Sequence, residues 1–138
     1  MFFDLLESVL ERLLTAFGAR RRLRLTVHRG YLLSTRREYY FINATNMSRD
    51  RELEITHVWF ECTPQVHALE PERPLPKWLK PDETWETWVA VERLPEDVRD
   101  DAYTLARARL STGKVVKSKK SEDIPDAGAV PGGSSLAA

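Results

Sequence analysis

The chain has only one cysteine, Cys62, among its 138 residues. A single thiol excludes an internal disulfide, so folding does not require an oxidising compartment. The formal net charge is zero, because 21 Lys and Arg residues balance 21 Asp and Glu residues. This balance gives no overall attraction to nucleic acid or anionic lipid, so such a partner would have to recognise a local patch. We therefore expect a cytoplasmic protein.

The N-terminus has no long uninterrupted hydrophobic run. Its apolar stretch contains Asp4, Glu7 and Glu11, and it has neither a basic start nor a small-residue cleavage site. These features argue against a signal peptide and against a membrane span. The apolar residues instead recur at helical spacing, so we predict an amphipathic helix over residues 1–20. Its apolar face comprises Phe2, Leu6, Val9, Leu13 and Phe17.

Three interpretations of this apolar face are open. The helix packs on the chain's own β domain, joins a second copy or a groove of another protein, or lies in a membrane interface. The acidic polar side disfavours the membrane interface, although peripheral membrane contact stays on the list of alternatives. We adopt association with a protein partner or a second copy, because a sandwich with its own core leaves little apolar surface for the helix to cover.

From residue 23 onward the hydrophobic period changes to two, as in a half-buried strand. Further strand-like runs occupy 39–48, 52–62, 65–69, 84–91, 103–110 and 115–119. The runs 39–48 and 52–62 are rich in β-branched and aromatic residues, so they are predicted to form the central antiparallel pair. The pattern predicts a mainly β fold, a two-sheet antiparallel Greek-key sandwich of about seven strands. Trp59 is expected between the sheets, together with Leu53, Ile55, Val89 and Val91.

Four segments, YYFINATNMS, ELEITHVWFEC, LKPDETWETWVAV and LARARLSTGKVV, occur in an order that resembles bacterial immunoglobulin-like modules. The resemblance covers residues 23–122. The chain also resembles a small bacterial family without known activity. It implies an immunoglobulin-like β-sandwich with a binding or structural role, in which Trp59 is the core tryptophan of strand C. It implies no catalytic residue, and the paired cysteines of antibody domains are absent. Residues 123–138 are expected to form a flexible tail.

The histidines and the cysteine do not predict a metal site. His57 and Cys62 should lie on opposite faces of one extended strand, so these two and His67 cannot converge on an ion without a bulge. Neither Cys62 nor any serine has an evident base and orienting acid. We predict no metal, no cofactor and no catalytic residue.

Three tryptophans, Trp78, Trp85 and Trp88, form the densest aromatic group and are predicted to bind a partner. Trp85 and Trp88 should lie on opposite faces of one strand, so at least one of them lies outside the core. An exposed indole beside Glu83 and Glu86 would suit a protein interface or a sugar. The alternative is that the adjacent proline-rich segment folds back and covers these side chains.

Basic residues in and just after the last two predicted strands could contact the phosphates of a nucleic acid. They are Arg107, Arg109, Lys117, Lys119 and Lys120. No aromatic residue is interleaved with them, and acidic residues follow directly, which argues against nucleic acid. The sequence therefore favours a non-enzymatic protein-binding or assembly module, with a carbohydrate-binding module and a small enzyme of unknown reaction as alternatives.

Overall fold

The computed structural model describes residues 23–120, which form eight strands and three short helices. The strands are β1 (Leu23–Leu32), β2 (Arg37–Asn46), β3 (Leu53–Phe60), β4 (Val66–His67), β5 (Lys77–Leu79), β6 (Thr84–Ala90), β7 (Ala106–Leu110) and β8 (Val115–Lys117). Two 3-10 helices, Val91–Arg93 and Glu96–Asp101, and one α-helical turn, α1 (Ala102–Leu105), lie between β6 and β7. The predicted helix over 1–20 and the predicted tail over 123–138 lie outside the described residues.

Two antiparallel sheets make up this part of the chain. One is three-stranded, in the order β1-β2-β6, and the other is five-stranded, in the order β4-β3-β7-β8 with β5 also paired to β3. A single hydrophobic cluster contains side chains of both sheets. The sheets therefore pack face to face, and the prediction of a mainly β, two-sheet sandwich is confirmed.

Alternation of side chains identifies the inner face of the three-stranded sheet. Leu23, Leu25 and Val27 of β1 are buried in the core, as the period of two predicts. Trp85 and Val89 of β6 are buried in the same cluster, whereas Trp88 is half-buried on the opposite face. The prediction that Trp85 and Trp88 lie on opposite faces is confirmed.

The predicted pairing of the runs 39–48 and 52–62 is wrong. β2 belongs to the three-stranded sheet and β3 to the five-stranded sheet, so the chain crosses from one sheet to the other between Asn46 and Leu53. Both strands were recognised in the sequence, but their composition suits a hairpin and a crossing equally well.

Asn46 holds the crossing in place and is fully buried. Its Nδ2 donates to the carbonyl oxygens of Arg51 at 2.7 Å and of Leu79 at 3.0 Å. Its Oδ1 accepts a hydrogen bond from the backbone N–H of Ser48 at 2.9 Å. One side chain thus joins the end of β2, the connecting loop and β5, and these bonds satisfy the polar atoms of a fully buried amide.

A β-bulge in β3 changes which side chains face the core. Ile55 is opposite Leu110, but His57 is opposite Arg109, so Thr56 is an extra residue in β3. An extra residue shifts the alternation by one. Core positions are therefore Leu53 and Ile55 before the bulge, and Val58 and Phe60 after it.

The bulge overturns the prediction that Trp59 lies between the sheets. Its neighbours Val58 and Phe60 are in the core cluster, and Trp59 is not. The indole lies on the outer face of the five-stranded sheet, where other side chains leave it only 5% exposed. The other expected core residues, Leu53, Ile55, Val89 and Val91, do belong to the core.

Two local assignments also differ from the sequence prediction. β5 lies within the proline-rich segment between residues 70 and 81, where no strand was predicted, and α1 occupies the start of the run predicted as a strand from residue 103. The final hairpin is present as β7 and β8, with Gly113 at a φ of 91° in its turn.

The last described residues join the two sheets. The buried Ser118 Oγ donates to the Tyr103 carbonyl oxygen at 2.9 Å and accepts from the Ala106 N–H at 3.1 Å. The Lys119 N–H then donates to the Leu25 carbonyl oxygen at 3.1 Å, within a parallel bridge between Thr26 and Lys119. β1 is thereby connected to the segment that follows β8.

Candidate functional site

An open cleft of about 190 Å³ lies on the outer face of the five-stranded sheet. It is lined by His57, Trp59, Gln65, His67 and Arg109. Two imidazoles, a guanidinium and an amide therefore surround one indole.

Three neighbouring strands supply the cleft. The bulge at Thr56 leaves both His57 and Trp59 on the outer face of β3. Arg109 of β7 is directly opposite His57, and His67 of β4 is directly opposite Trp59. Since directly opposed side chains in an antiparallel pair lie on the same face, the register brings all four together.

Trp59 forms the floor of this cleft. The guanidinium carbon of Arg109 is 5.5 Å from the indole centroid, and the His67 ring centroid is 5.9 Å away at an interplanar angle of 30°. A cation over an indole face is attracted by the ring quadrupole. The Trp59 Nε1 is buried and has no hydrogen-bond partner, so the floor retains one unused donor.

The two histidines of the cleft face each other edge to plane. Their ring centroids are 6.5 Å apart with an interplanar angle of 75°. His57 Nδ1 lies 3.0 Å from the Thr56 hydroxyl, and that hydroxyl donates to the Arg109 carbonyl oxygen at 3.2 Å. The hydroxyl nearest to an imidazole in this cleft is thus engaged with the backbone.

Cys62 does not join the histidines. Its Sγ donates to the carbonyl oxygens of Phe60 and Pro64, at 3.7 and 3.3 Å. Burial raises the pKa of this thiol, so at neutral pH it is a hydrogen-bond donor and not a thiolate nucleophile. Between residues 23 and 120, no group of three or more His, Cys, Asp or Glu side chains is placed to hold a metal ion.

The three tryptophans predicted to bind a partner have different environments. Trp78 of β5 is 54% exposed on the outer face of the five-stranded sheet, opposite Glu54. Trp88 is half-buried on the other sheet beneath Arg73, whose guanidinium carbon is 4.9 Å from its ring centroid. Trp85 is buried in the core, so of the three it is the one that the sheet does not present at the surface. The predicted partner-binding positions Phe2, Leu6, Val9, Leu13 and Phe17 lie outside the described residues.

The outer face of the three-stranded sheet is filled by its own side chains. His28 stacks on Phe41 with ring centroids 5.3 Å apart, and Phe41 is only 9% exposed. A Cβ on Gly30 would lie 2.9 Å from the Phe41 ring, so glycine is what allows this ring to lie flat on β1.

The basic strip of the last hairpin shares the face of the cleft. Arg107 is opposite Lys117, and Arg109 is opposite Val115. The sequence predicted no aromatic side chain among these basic residues, but the bulge brings Trp59 beside Arg109. Trp59 is too covered to stack on a base, so this arrangement adds no platform for single-stranded nucleic acid.

Sequence reasoning did not find the cleft, although it considered His57, Trp59, His67 and Arg109 one by one. Gln65 was not singled out, and no sequence signal marks Thr56 as a bulge. Within residues 23–120, no helix is both long enough and apolar enough to cross a membrane. Comparison of the chain with protein-family models, with curated proteins and with solved structures gives no match.

Proposed function

We propose that the chain is a non-enzymatic protein-binding module whose recognition surface is the outer face of the five-stranded sheet. One observation carries the proposal: this face combines an open cleft, basic side chains that form no salt bridge within residues 23–120, and the exposed indole of Trp78. Tryptophan and arginine are the side chains most enriched among energetically dominant interface residues.

The polar groups of the face suit binding better than turnover. A catalytic site needs a nucleophile or water held against a base that a third group orients. In the cleft, the Thr56 hydroxyl bonds to a carbonyl oxygen, and the acid nearest to Gln65, Glu61, accepts the Gln65 amide at 2.9 Å. These bonds leave the imidazoles and the guanidinium as donors to a bound group.

We also propose that the two sheets are connected as an immunoglobulin-like Greek key. The strand orders β1-β2-β6 and β3-β7-β8 support it, as does the parallel bridge from β1 to Lys119. The free thiol of Cys62 supports a cytoplasmic location.

The N-terminal apolar positions form the second element of the proposal. Their spacing predicts a helix that joins a second copy or a partner. In this arrangement the helix brings molecules together and the sheet face recognises the partner.

A carbohydrate-binding function is the second candidate, and Trp78 is the residue that favours it. Its indole is exposed and faces the solvent beside Glu54, its cross-strand neighbour. An aromatic plane next to a carboxylate can stack on a sugar and accept its hydroxyl hydrogens. Glycan-array binding that disappears in Trp78→Ser would favour this candidate over protein binding.

The protein-binding proposal is tested with the full chain immobilised as wild type, Trp78→Ser, Lys117→Glu and Arg93→Glu. Retained proteins are identified, purified and titrated by calorimetry against each variant. We expect Trp78→Ser and Lys117→Glu each to weaken a specific partner about tenfold. Arg93→Glu is the matched control, because Arg93 is exposed in the 3-10 helix that follows β6. A partner that binds all four proteins equally would show that this sheet face is not the recognition surface.

A further inference from the structure

We propose that the cleft binds one carboxylate group of a protein partner, carried by an acidic side chain. This inference rests on the proposed function, since it names the chemistry that the recognition face would select. The observation behind it is the convergence of His57, His67 and Arg109 above the Trp59 floor.

The cleft holds donors that lack an acidic partner. Salt bridges within residues 23–120 involve Arg29, Arg37 and Arg99, and none of them includes Arg109. The indole of Trp59 holds the guanidinium in position by its face, which leaves the N–H fork of Arg109 available. A planar fork matches the two oxygens of a carboxylate.

The side walls of the cleft add further donors. His57 stands beside Arg109 through the strand register, and His67 lies across from His57 at 6.5 Å between ring centroids. His57 Nδ1 is 3.0 Å from the Thr56 hydroxyl, so His67 is the ring left to donate to a bound oxygen, from whichever of its nitrogens carries hydrogen. A carboxylate on Arg109 would therefore have donors on two sides.

Charge selects a monoanion at neutral pH. Arg109 is the cleft's one permanent cation, and the nearest cation on the same strand, Arg107, donates its Nη1 to the carbonyl oxygens of Thr104 and Ala106. One positive charge is matched by one carboxylate, whereas a phosphate dianion would need a second fixed cation. Nucleic acid would further require a stacking surface, and Trp59 is only 5% exposed.

Three strands supply the side chains that face the bound carboxylate. His57 comes from β3, His67 from β4 and Arg109 from β7. The neighbouring carboxylate of Glu61 accepts a hydrogen bond from the Gln65 amide at 2.9 Å.

The test uses NMR titration of the full chain with two blocked tripeptides, Gly-Glu-Gly and Gly-Gln-Gly, and with inorganic phosphate. We expect the glutamate peptide to shift the signals of His57, His67 and Arg109 with saturation. The glutamine peptide, which has the same shape and no charge, should produce no saturating shift.

Variants test whether the cleft itself binds the carboxylate. Arg109→Gln should abolish saturation by the glutamate peptide, while Arg93→Gln, which removes an exposed cation from the 3-10 helix after β6, should leave it unchanged. Arg109→Lys keeps the charge without the fork and should bind more weakly than wild type. If Arg109→Gln proves unfolded, the double variant His57→Ala and His67→Ala provides the test, because it should weaken binding of the glutamate peptide while Arg109 remains.

Three results would overturn the inference. They are equal shifts with both peptides, glutamate binding that Arg109→Gln does not change, and saturation by phosphate alone. A partner that depends on Trp78 but not on Arg109 would reject the carboxylate site and leave the binding module standing. Carboxylate binding in the cleft, with partners indifferent to the sheet-face variants, would instead reject the proposed function and leave the site standing.

Discussion

The guanidinium of Arg109 lies over the indole of Trp59, 5.5 Å from its centroid, on the solvent side of a sheet whose inner side carries Val58 and Phe60. Of the two aromatic side chains of this strand, the larger, Trp59, therefore lies on the outer face and the smaller, Phe60, lies in the core. This division has a direct consequence for stability.

Phe60→Ala should destabilise the protein more than Trp59→Ala. Phe60 is fully buried between the sheets, so its loss leaves a cavity and should cost about 3 to 5 kcal/mol. Trp59→Ala should cost about 1 to 3 kcal/mol, because the buried, unpartnered Nε1 offsets part of what the ring contributes. Urea denaturation of both variants measures the difference. An equal or larger loss for Trp59→Ala would mean that the outer face contributes as much as the core.

Thr87→Val should stabilise the protein by about 1 kcal/mol. The Thr87 side chain is 1% exposed on the inner face of β6, and its Oγ1 has no hydrogen-bond partner. Valine has nearly the same shape and removes the unpaired hydroxyl. The control is Thr45→Val, which breaks a 2.9 Å hydrogen bond between the exposed side chains of Thr45 and Thr84 and should bring no gain. A lower melting temperature for Thr87→Val would show that this hydroxyl does have a partner in solution.

Asn46→Ala should be among the most damaging substitutions of a polar residue, with a loss of about 2 to 4 kcal/mol in the free energy of unfolding. It would leave the Ser48 N–H and the carbonyl oxygens of Arg51 and Leu79 without their partner. Asn43→Ala is the comparison, because Asn43 is half-buried on the outer face and its amide contacts only His28 at 3.1 Å. It should cost under about 1 kcal/mol. Chemical denaturation of the pair decides whether the crossing depends on the Asn46 side chain.

Stability should fall at alkaline pH in a way that depends on Tyr40. Burial raises the pKa of its hydroxyl, and that hydroxyl donates to the Arg99 carbonyl oxygen at 3.1 Å. A tyrosine of the unfolded chain ionises near pH 10, so the contribution is fully present below about pH 10 and is lost as the pH rises above it. Tyr40→Phe should reduce this decline, and Tyr31→Phe, at a side chain that is 55% exposed, should not. Urea titrations at about pH 8 and about pH 11 provide the measurement.

Deletion of residues 1–18 should leave a folded β domain and lower its mass in solution from oligomer towards monomer. The reason is the apolar face of the predicted helix, where each large side chain gains roughly 1.5 to 3 kcal/mol on burial. Light scattering of the full chain and of the deletion variant gives the two masses. A full chain that is monomeric at micromolar concentration, without partner or lipid, would mean that the helix packs on its own domain.

Strand identity was predictable where alternation is uninterrupted. β1 shows Leu23, Leu25 and Val27 on one side, and β6 separates Trp85 from Trp88, because a period of two leaves no freedom in a regular strand. In β3 the same rule failed after Ile55. One extra residue reverses every later side chain, and Thr56 has no property that distinguishes it from a regular strand residue.

Sheet membership was less accessible than strand identity. Whether β2 and β3 pair or separate depends on contacts distant in sequence, such as the bond from Asn46 to the Leu79 carbonyl oxygen. The cleft could not be predicted for the same reasons. It depends on the bulge, which places Trp59 on the outer face, and on the pairing of β4 with β3, which brings His67 beside Trp59. Local pattern contains neither piece of information.

The bond between the Lys119 N–H and the Leu25 carbonyl oxygen bears on how the protein is made. It connects the first described strand to the last described segment, so β1 leaves the ribosome long before its edge partner has been synthesised. Until Ser118 and Lys119 emerge, β1 lacks the backbone hydrogen bond from Lys119 to Leu25, and α1 lacks the hydrogen bond from the Ser118 hydroxyl to the Tyr103 carbonyl oxygen. Completion of the fold during translation therefore waits for the end of the domain, and chains that stall before β8 are the ones expected to need a chaperone.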